Sequence, residues 1–285
     1  MTKRVRTESK EGVVCEAAGC FDLDGTWYRK QLFEGLIDVC IEAGIMENIV
    51  MMKVAELRSH AKQRKIPYDE YIWTLVRAYQ DNFRLRGVRV SDMRWCAEEM
   101  IRRKGNEVHV FTRELSAAAK DVGMRRVILS GSPLQVVEAF ALANDIKIFL
   151  GTEHPYDKKG YFTGGEPMQH FLHKDQALKR IAREHKIDLS RSFAIGDSRS
   201  DGDMLNVVRY PICFNPEQKL WPMARKNRWP VVIEEKNFIT VYRPDKDGRL
   251  KEVPLTRVLP HPLALRLGER LKETKWYQPY FETVA

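Results

Sequence analysis

Two aspartates one residue apart, Asp22 and Asp24, stand in the run Cys20-Phe21-Asp22-Leu23-Asp24-Gly25-Thr26. Such a pair suits covalent transfer chemistry, in which one carboxylate attacks as nucleophile and its neighbour handles the proton. The apolar run from Val13 to Phe21 predicts a buried strand before them. Gly25 then allows a tight turn that leaves both acids at the strand's carboxyl end, where open α/β sheets bind ligands. Taken alone, Asp-x-Asp-Gly-Thr also suits a polar turn or a calcium loop.

Three later segments bear on that choice. Val127-Ile128-Leu129-Ser130-Gly131-Ser132-Pro133 ends an apolar run in a small hydroxylic turn. His173 to Lys179 opens a helical pattern with Lys174 near its front. Ser192 to Asp201 ends another apolar run in two acids, Asp197 and Asp201. In this order and spacing the four segments resemble the haloacid dehalogenase superfamily of aspartate-nucleophile phosphotransferases, and within it the phosphoserine phosphatase-like branch. The motifs run from Phe21 to Leu205, with scaffold reaching about Tyr242. The resemblance implies an α/β fold: a doubly wound, Rossmann-like parallel sheet with an inserted helical cap. It also implies a Mg²⁺-dependent phosphatase that hydrolyses a small phosphomonoester through an aspartyl-phosphate.

A phosphomonoester repels an attacking oxyanion, so the site must neutralise the phosphoryl oxygens and hold the nucleophile in line. Asp22 is the expected nucleophile. Asp24 is the expected acid that protonates the leaving oxygen and then the base that activates water. The resemblance gives the same roles to these positions. Carboxylates converging on a phosphate need a cation, and Mg²⁺ takes few carboxylates, waters and a phosphate oxygen. Asp197 is expected to share it with the Asp22 side chain and, by resemblance, with the main-chain carbonyl of Asp24. Asp201 is expected to orient the metal's water or Asp197 from behind. Capping of a helix N-terminus is the other reading of Asp197 and Asp201. The Ser130 hydroxyl and Gly131 amide are expected to donate to phosphoryl oxygens, unless they form an ordinary strand-to-helix turn. Lys174 is preferred over Lys158, Lys159 and Lys179 as the cation on the phosphate.

The sequence departs from the phosphoserine phosphatase pattern in three places. The cap glutamate of that family, seven residues after the second aspartate, is Gln31 here. Ser198 and Ser200 replace the Gly and Asn of the last motif, and Ser132 replaces a glycine of the second. These changes leave the catalytic set intact. Gln31, where the chain enters the helical block, is expected to face the substrate without the charge that holds an ammonium, unless it is simply a solvated helix residue.

These residues need a scaffold. Strand and helix patterns alternate from about Asn106: strands at Arg126 to Leu129, Ile146 to Leu150 and up to Asp197, and helices at Leu134 to Ala143 and Lys174 to His185. Such alternation implies a parallel sheet covered on both faces, with right-handed crossovers gathering the motifs along one edge. Tyr161-Phe162-Thr163 marks a small hairpin. Residues 30–105 read as helices, with Ser91 as an N-cap and an aromatic stripe from Tyr68 to Tyr79. The expected division is a catalytic core at 12–30 and 106–242, a helical cap at 31–105 and a C-terminal extension at 243–285.

The chain has 285 residues, 44% apolar, with a net charge of +9. No apolar run reaches transmembrane length, and the basic start lacks the apolar stretch of a secretory signal. The five cysteines, Cys15, Cys20, Cys40, Cys96 and Cys213, form no Cys-x-x-Cys pair, which argues against structural zinc. Reduced thiols in a cytoplasm are expected. Basic residues are interspersed with acids along the helices, so a solvated surface explains the charge, and no nucleic-acid or membrane partner is expected. Two other functions stay open on the same fold: a phosphotransferase using an acceptor alcohol, and a non-catalytic phospho-ligand or nucleic-acid binding protein. The expected partner is a small phosphorylated metabolite; oligomeric state is not legible.

Overall fold

The computed structural model describes residues 16–45, 48–66, 70, 71, 74, 85–236 and 238–274. Val13, Val14 and Cys15, most of the Tyr68 to Tyr79 stripe and the last residues of the chain lie outside that set. β1 (Ala18–Phe21) is short and wholly buried. It runs parallel to β2 (Arg125–Pro133) on one side and to β4 (Phe193–Gly196) on the other. β3 (Ile148–Thr152) continues beyond β2, and β5 (Tyr210–Phe214) and β6 (Val231–Glu234) continue beyond β4, all parallel. β7 (Ile239–Pro244) and β8 (Leu250–Glu252) finish the sheet antiparallel. The eight strands lie in the order β3-β2-β1-β4-β5-β6-β7-β8. Strand succession reverses between β1 and β4, which opens a crevice at their carboxyl ends.

The strands alternate strictly between two apolar layers, as a pleated sheet covered on both faces requires. Phe21, Ile128, Ile195, Ile212 and Val232 enter one layer. Their neighbours Cys20, Val127, Leu129, Ala194, Cys213 and Val231 enter the other. Nine helices are described: α1 (Leu32–Glu42), α2 (Asn48–Lys62), α3 (Val90–Lys104), α4 (Val110–Asp121), α5 (Leu134–Ala143), α6 (Lys174–Glu184), α7 (Asp201–Leu205), α8 (Trp221–Asn227) and α9 (His261–Glu273). Leu178 and Ile181 of α6 cover the second layer, and α4, α5 and α9 cover the first.

The helical block is joined to that first layer. Leu36 and Cys40 of α1 and Met93, Cys96 and Met100 of α3 are buried in one apolar cluster with Val137 and Phe140 of α5. From the aromatic stripe, Tyr71 is buried and its hydroxyl donates to Glu34. The expected Ser91 cap is not made: α3 starts at Val90 with Arg89 in the capping position, and the Ser91 hydroxyl bonds Asp92. The segment from 243 onward supplies the end of β7, all of β8 and α9, so the sheet runs through residue 242. Leu263, Leu267 and Leu271 of α9 bury beside Leu115 and Ala118 of α4, and Arg270 Nε meets Glu114 Oε2 at 2.9 Å. The expected hairpin shows as antiparallel bridges between Glu153 and Met168 and between Tyr156 and Phe162. Cys20, Cys40, Cys96 and Cys213 are free and buried. Among the described residues no helix is long and apolar enough to cross a membrane.

Candidate active site

Adjacent parallel strands deliver their following residues side by side. Asp22 follows β1 and Asp197 follows β4, and the Asp22 amide carries the ladder one step on by donating to the Ile195 carbonyl at 3.0 Å. The chain then turns at Gly25, whose φ of +82° disfavours any side chain. A Cβ there would lie 2.3 Å from Asp197 Oδ2. Glycine therefore lets the turn rest directly against the second acid. Thr26 Oγ1 donates to Asp197 Oδ1 at 3.0 Å, and Thr112 Oγ1 of α4 holds the Thr26 carbonyl at 2.8 Å.

Lys174 is the first residue of α6 and is 2% exposed. Its ammonium donates to Asp22 Oδ1 at 2.7 Å and to Asp201 Oδ1 at 2.5 Å. Asp201 Oδ2 accepts from the amides of Asp197 at 3.1 Å and Ser198 at 2.8 Å, and from the Ser198 hydroxyl at 2.7 Å. Both oxygens of Asp201 are thus occupied, and it fixes the Asp197 loop to Lys174. Gly196 makes room for this bracket, since a Cβ there would come within 2.4 Å of the Asp201 Cβ.

The cluster is short of positive charge. Burial pushes the Asp22 carboxyl up to about 7, repulsion from Asp201 adds to this, and Lys174 opposes it. Burial, then Asp22 and Asp201, raise Asp197 well above the usual carboxylate range. Burial alone would lower the Lys174 ammonium, but Asp201 and Asp22 outweigh it and raise it. Carboxylate oxygens of Asp22, Asp197 and Asp201 all lie within 4.8 Å of one another. Among the described residues no donor reaches Asp22 Oδ2 or Asp197 Oδ2. An all-oxygen donor set with two unbonded carboxylate oxygens and surplus negative charge fits a small, hard divalent cation.

Asp24 belongs to a second set of contacts. Its Oδ1 accepts from the Leu32 amide at 2.6 Å, at the entry to α1. Its Oδ2 accepts from Ser130 Oγ at 3.0 Å and Ser132 Oγ at 2.7 Å. Ser130 and Ser132 are two apart on β2, so their side chains share a face. Burial raises the Asp24 carboxyl, against the lowering effect of the Leu32 amide and the Ser132 and Ser130 hydroxyls. Gly131 is exposed and its carbonyl accepts from Thr152 Oγ1 at 2.7 Å. Gln31 is half-buried in the N-cap position of α1, without a capping bond from its side chain. It lines a cavity of about 470 Å³ together with Glu34, Arg58 and Tyr71.

Asp22, Lys174, Asp197 and Asp201 are therefore linked by hydrogen bonds at the carboxyl ends of β1 and β4, Asp24 and Ser130 form a second bonded set, and Gln31 lines a separate cavity. Reasoning from sequence gave no role to Thr26, Thr112, Ser132 or Ser198. Thr26, Ser132 and Ser198 stand inside the motifs, and their hydroxyls were a usable signal. Thr112 carries no motif; only the packing of α4 brings it to Thr26.

The four motifs and this geometry agree with comparisons to known proteins. Residues 20–206 match the family model of the haloacid dehalogenase-like hydrolases. A phosphoserine phosphatase of Mycobacterium tuberculosis (strain ATCC 25618 / H37Rv), SerB1, is 29% identical over 123 residues, which is 42% of this chain and 39% of that protein. An inhibition of morphological differentiation protein of Streptomyces azureus is 29% identical over 130 residues, 45% of each chain. The chain thus spans less than half the length of these curated relatives. Among solved structures, a protein of unknown function from Bordetella pertussis Tohama I shares the fold with a TM-score of 0.60 at 18% identity, covering 76% of this chain and 98% of that one. An apo phosphoserine phosphatase shares it at 0.50 and 15% identity, covering 78% and 94%. The family match spans both strands that carry the carboxylates, the serine turn and the lysine helix, and the chain belongs to the haloacid dehalogenase-like hydrolases.

Proposed function

We propose that this protein is a Mg²⁺-dependent phosphatase that hydrolyses a small phosphomonoester through an aspartyl-phosphate on Asp22. The observation that carries this reading is the state of Asp22: buried, bonded through Oδ1 to Lys174, with Oδ2 unbonded beside Asp197. The family and the name of the mycobacterial relative support phosphomonoesters as the substrate class. In the first step Asp22 Oδ2 attacks phosphorus, the bond from phosphorus to the leaving oxygen breaks, and Asp24 gives that oxygen its proton. In the second step water attacks the same phosphorus while Asp24 takes a proton. The acyl-phosphate bond then breaks, which releases phosphate and restores the Asp22 carboxylate.

Lys174 neutralises phosphoryl charge and keeps Asp22 oriented. Ser130 exchanges its bond to Asp24 for a phosphoryl oxygen, and the Gly131 amide donates beside it. Asp22, Asp197 and the Asp24 carbonyl would hold Mg²⁺, with Asp201 fixing the loop behind them. Bound there, the ion supplies positive charge against the phosphoryl oxygens. The helical block at 31–105 serves as the cap over the leaving group, with Gln31 as its contact nearest the catalytic turn, on a catalytic core of 12–30 and 106–242 whose sheet the segment from 243 onward continues. The buried free cysteines suit a reducing compartment, the cytoplasm.

The test is release of inorganic phosphate from a panel of alkyl and aryl phosphates, with chelator, with Mg²⁺ and with Ca²⁺. Activity should vanish with chelator, return with Mg²⁺ and return poorly with Ca²⁺, whose larger, looser coordination disturbs in-line geometry. Recovery of the phosphate on an added alcohol rather than as inorganic phosphate would favour the phosphotransferase. Turnover in a metal-free preparation would remove the role given to Asp197.

A further inference from the structure

The start of α3 and the segment after β3 enclose an open cavity of about 660 Å³, lined by none of the site's aspartates. That volume lies within the range of small-molecule sites. Two large aromatic rings in its lining face solvent, Trp95 at 54% and Tyr156 at 61% exposure. Single exposed apolar residues are ordinary; two aromatic side chains lining one concavity are a binding feature. Cations stand beside them. Arg89 Nε donates to the Tyr161 hydroxyl at 2.8 Å, and its guanidinium carbon lies 5.2 Å from that ring's centroid. An antiparallel bridge between the backbones of Arg89 and Tyr161 fixes the two elements together. Arg89 is therefore already ordered, with its terminal nitrogens left to bind. Lys159 is exposed and forms no ion pair with another described residue. Arg94 also lines the cavity but is shared with Glu138 at 3.3 Å. Glu98 is the one carboxylate of the lining.

This lining holds three chemistries: ring faces, cations for an anion, and a single acceptor for hydroxyls. We propose that the cavity is a binding site for a nucleoside monophosphate, separate from the catalytic carboxylates. The base stacks on Trp95 and Tyr156, a π contact available to every base. The phosphate rests on Arg89 and Lys159, and Glu98 accepts from a ribose hydroxyl. Cation and aromatic face then act together on one ligand, which neither ribose phosphate nor free phosphate can fully engage.

Equilibrium dialysis of the full chain against adenosine, guanosine, cytidine and uridine 5′-monophosphates, in chelator to prevent turnover, tests the site. Saturable binding of one nucleotide per chain is expected, at least about tenfold tighter than ribose 5-phosphate or inorganic phosphate. Trp95→Ala, a surface substitution, should weaken it by about tenfold or more, Trp95→Phe should largely keep it, and Arg89→Gln should weaken it as well. Asp22→Asn should leave it unchanged. Equal binding of ribose 5-phosphate, indifference to Trp95→Ala, or loss in Asp22→Asn would each overturn the proposal. So would Trp95-dependent binding of single-stranded oligonucleotides much tighter than of monophosphates, because the occupant would then be a nucleic acid.

Discussion

Two carboxylates at the carboxyl ends of parallel strands, Asp22 after β1 and Glu234 at the end of β6, are treated in opposite ways. The Glu234 side chain, at the end of β6, is 3% exposed and accepts from the Phe111 amide at 2.8 Å, the Val110 amide at 3.1 Å and Arg29 Nη2 at 2.8 Å, with His109 Nδ1 at 3.1 Å. Burial would raise it, but the bond from His109, the Phe111 amide and the His109 charge reverse this, and it ends below its ordinary range. The Asp22 side chain is also buried, yet it is pushed up to about 7 because burial and Asp201 outweigh its lone ammonium partner. Glu234 is a finished structural contact that caps the first turn of α4. Asp22 is left short of neutralising charge, which suits the proposed binding of a cation and a phosphate.

The largest expected effect is on Asp22. Asp22→Asn should reduce turnover to background while the protein stays folded, because the proposed nucleophile and metal ligand is lost at nearly constant volume. Its effect on stability should carry the opposite sign. A carboxyl raised from 3.8 to about 7 stabilises the fold fully only below 3.8, and that contribution is lost as pH rises through about 7. In metal-free protein above pH 7, Asp22→Asn should therefore raise the melting temperature by a few degrees. A lower melting temperature there would remove the contrast with Glu234.

Asp24→Asn comes next. Loss of a general acid costs about 10²–10⁴-fold with a poor leaving group. It should cost much less in the first step with an activated aryl phosphate, whose leaving oxygen needs no proton. Equal losses on both substrates would leave Asp24 as a structural acceptor for Leu32, Ser130 and Ser132 alone.

The smallest effect sharpens the comparison from the other side. Glu234→Ala strands the Val110 and Phe111 amides and should cost about 1–3 kcal/mol. Because Glu234 is depressed below 4.5, its contribution is present above that pH and is lost as pH falls through the lower folded value. Urea titrations at neutral and acid pH check this. A cost that grows in acid would contradict the assignment. Activity should fall less than stability, as α4 reaches the site only through Thr112 and Thr26.

Much of this was legible in the residues. The helix from Leu134 to Ala143 and the lysine at the head of the next follow from apolar spacing and from Pro133. The carboxylates could be placed because strand ends carry them into one crevice whatever the fine packing. The far edge of the sheet was not legible. The proline- and charge-rich run from Tyr242 to Gly248 reads as an extension around the core, yet Tyr242 to Pro244 end β7, Asp245 to Gly248 turn back, and β8 closes the sheet as its antiparallel edge strand, where charge is tolerated. Ser91 read as a cap because its type suits one, while Arg89 takes that position and its backbone pairs with Tyr161. Glu234 carried no signal at all. Its role arises from Arg29 and the start of α4, which lie 205 and 124 residues from it in sequence.

The central claim is that Asp22 becomes covalently phosphorylated. Acid quenching of the Mg²⁺-loaded protein within its first turnovers of a ³²P-labelled phosphomonoester, followed by peptide mapping, tests it directly. The account predicts acid-stable, hydroxylamine-labile label on the peptide that contains Asp22, at up to one phosphate per chain, and none in Asp22→Asn. Steady release of phosphate by a protein that never carries label, or label on a peptide without Asp22, would contradict it.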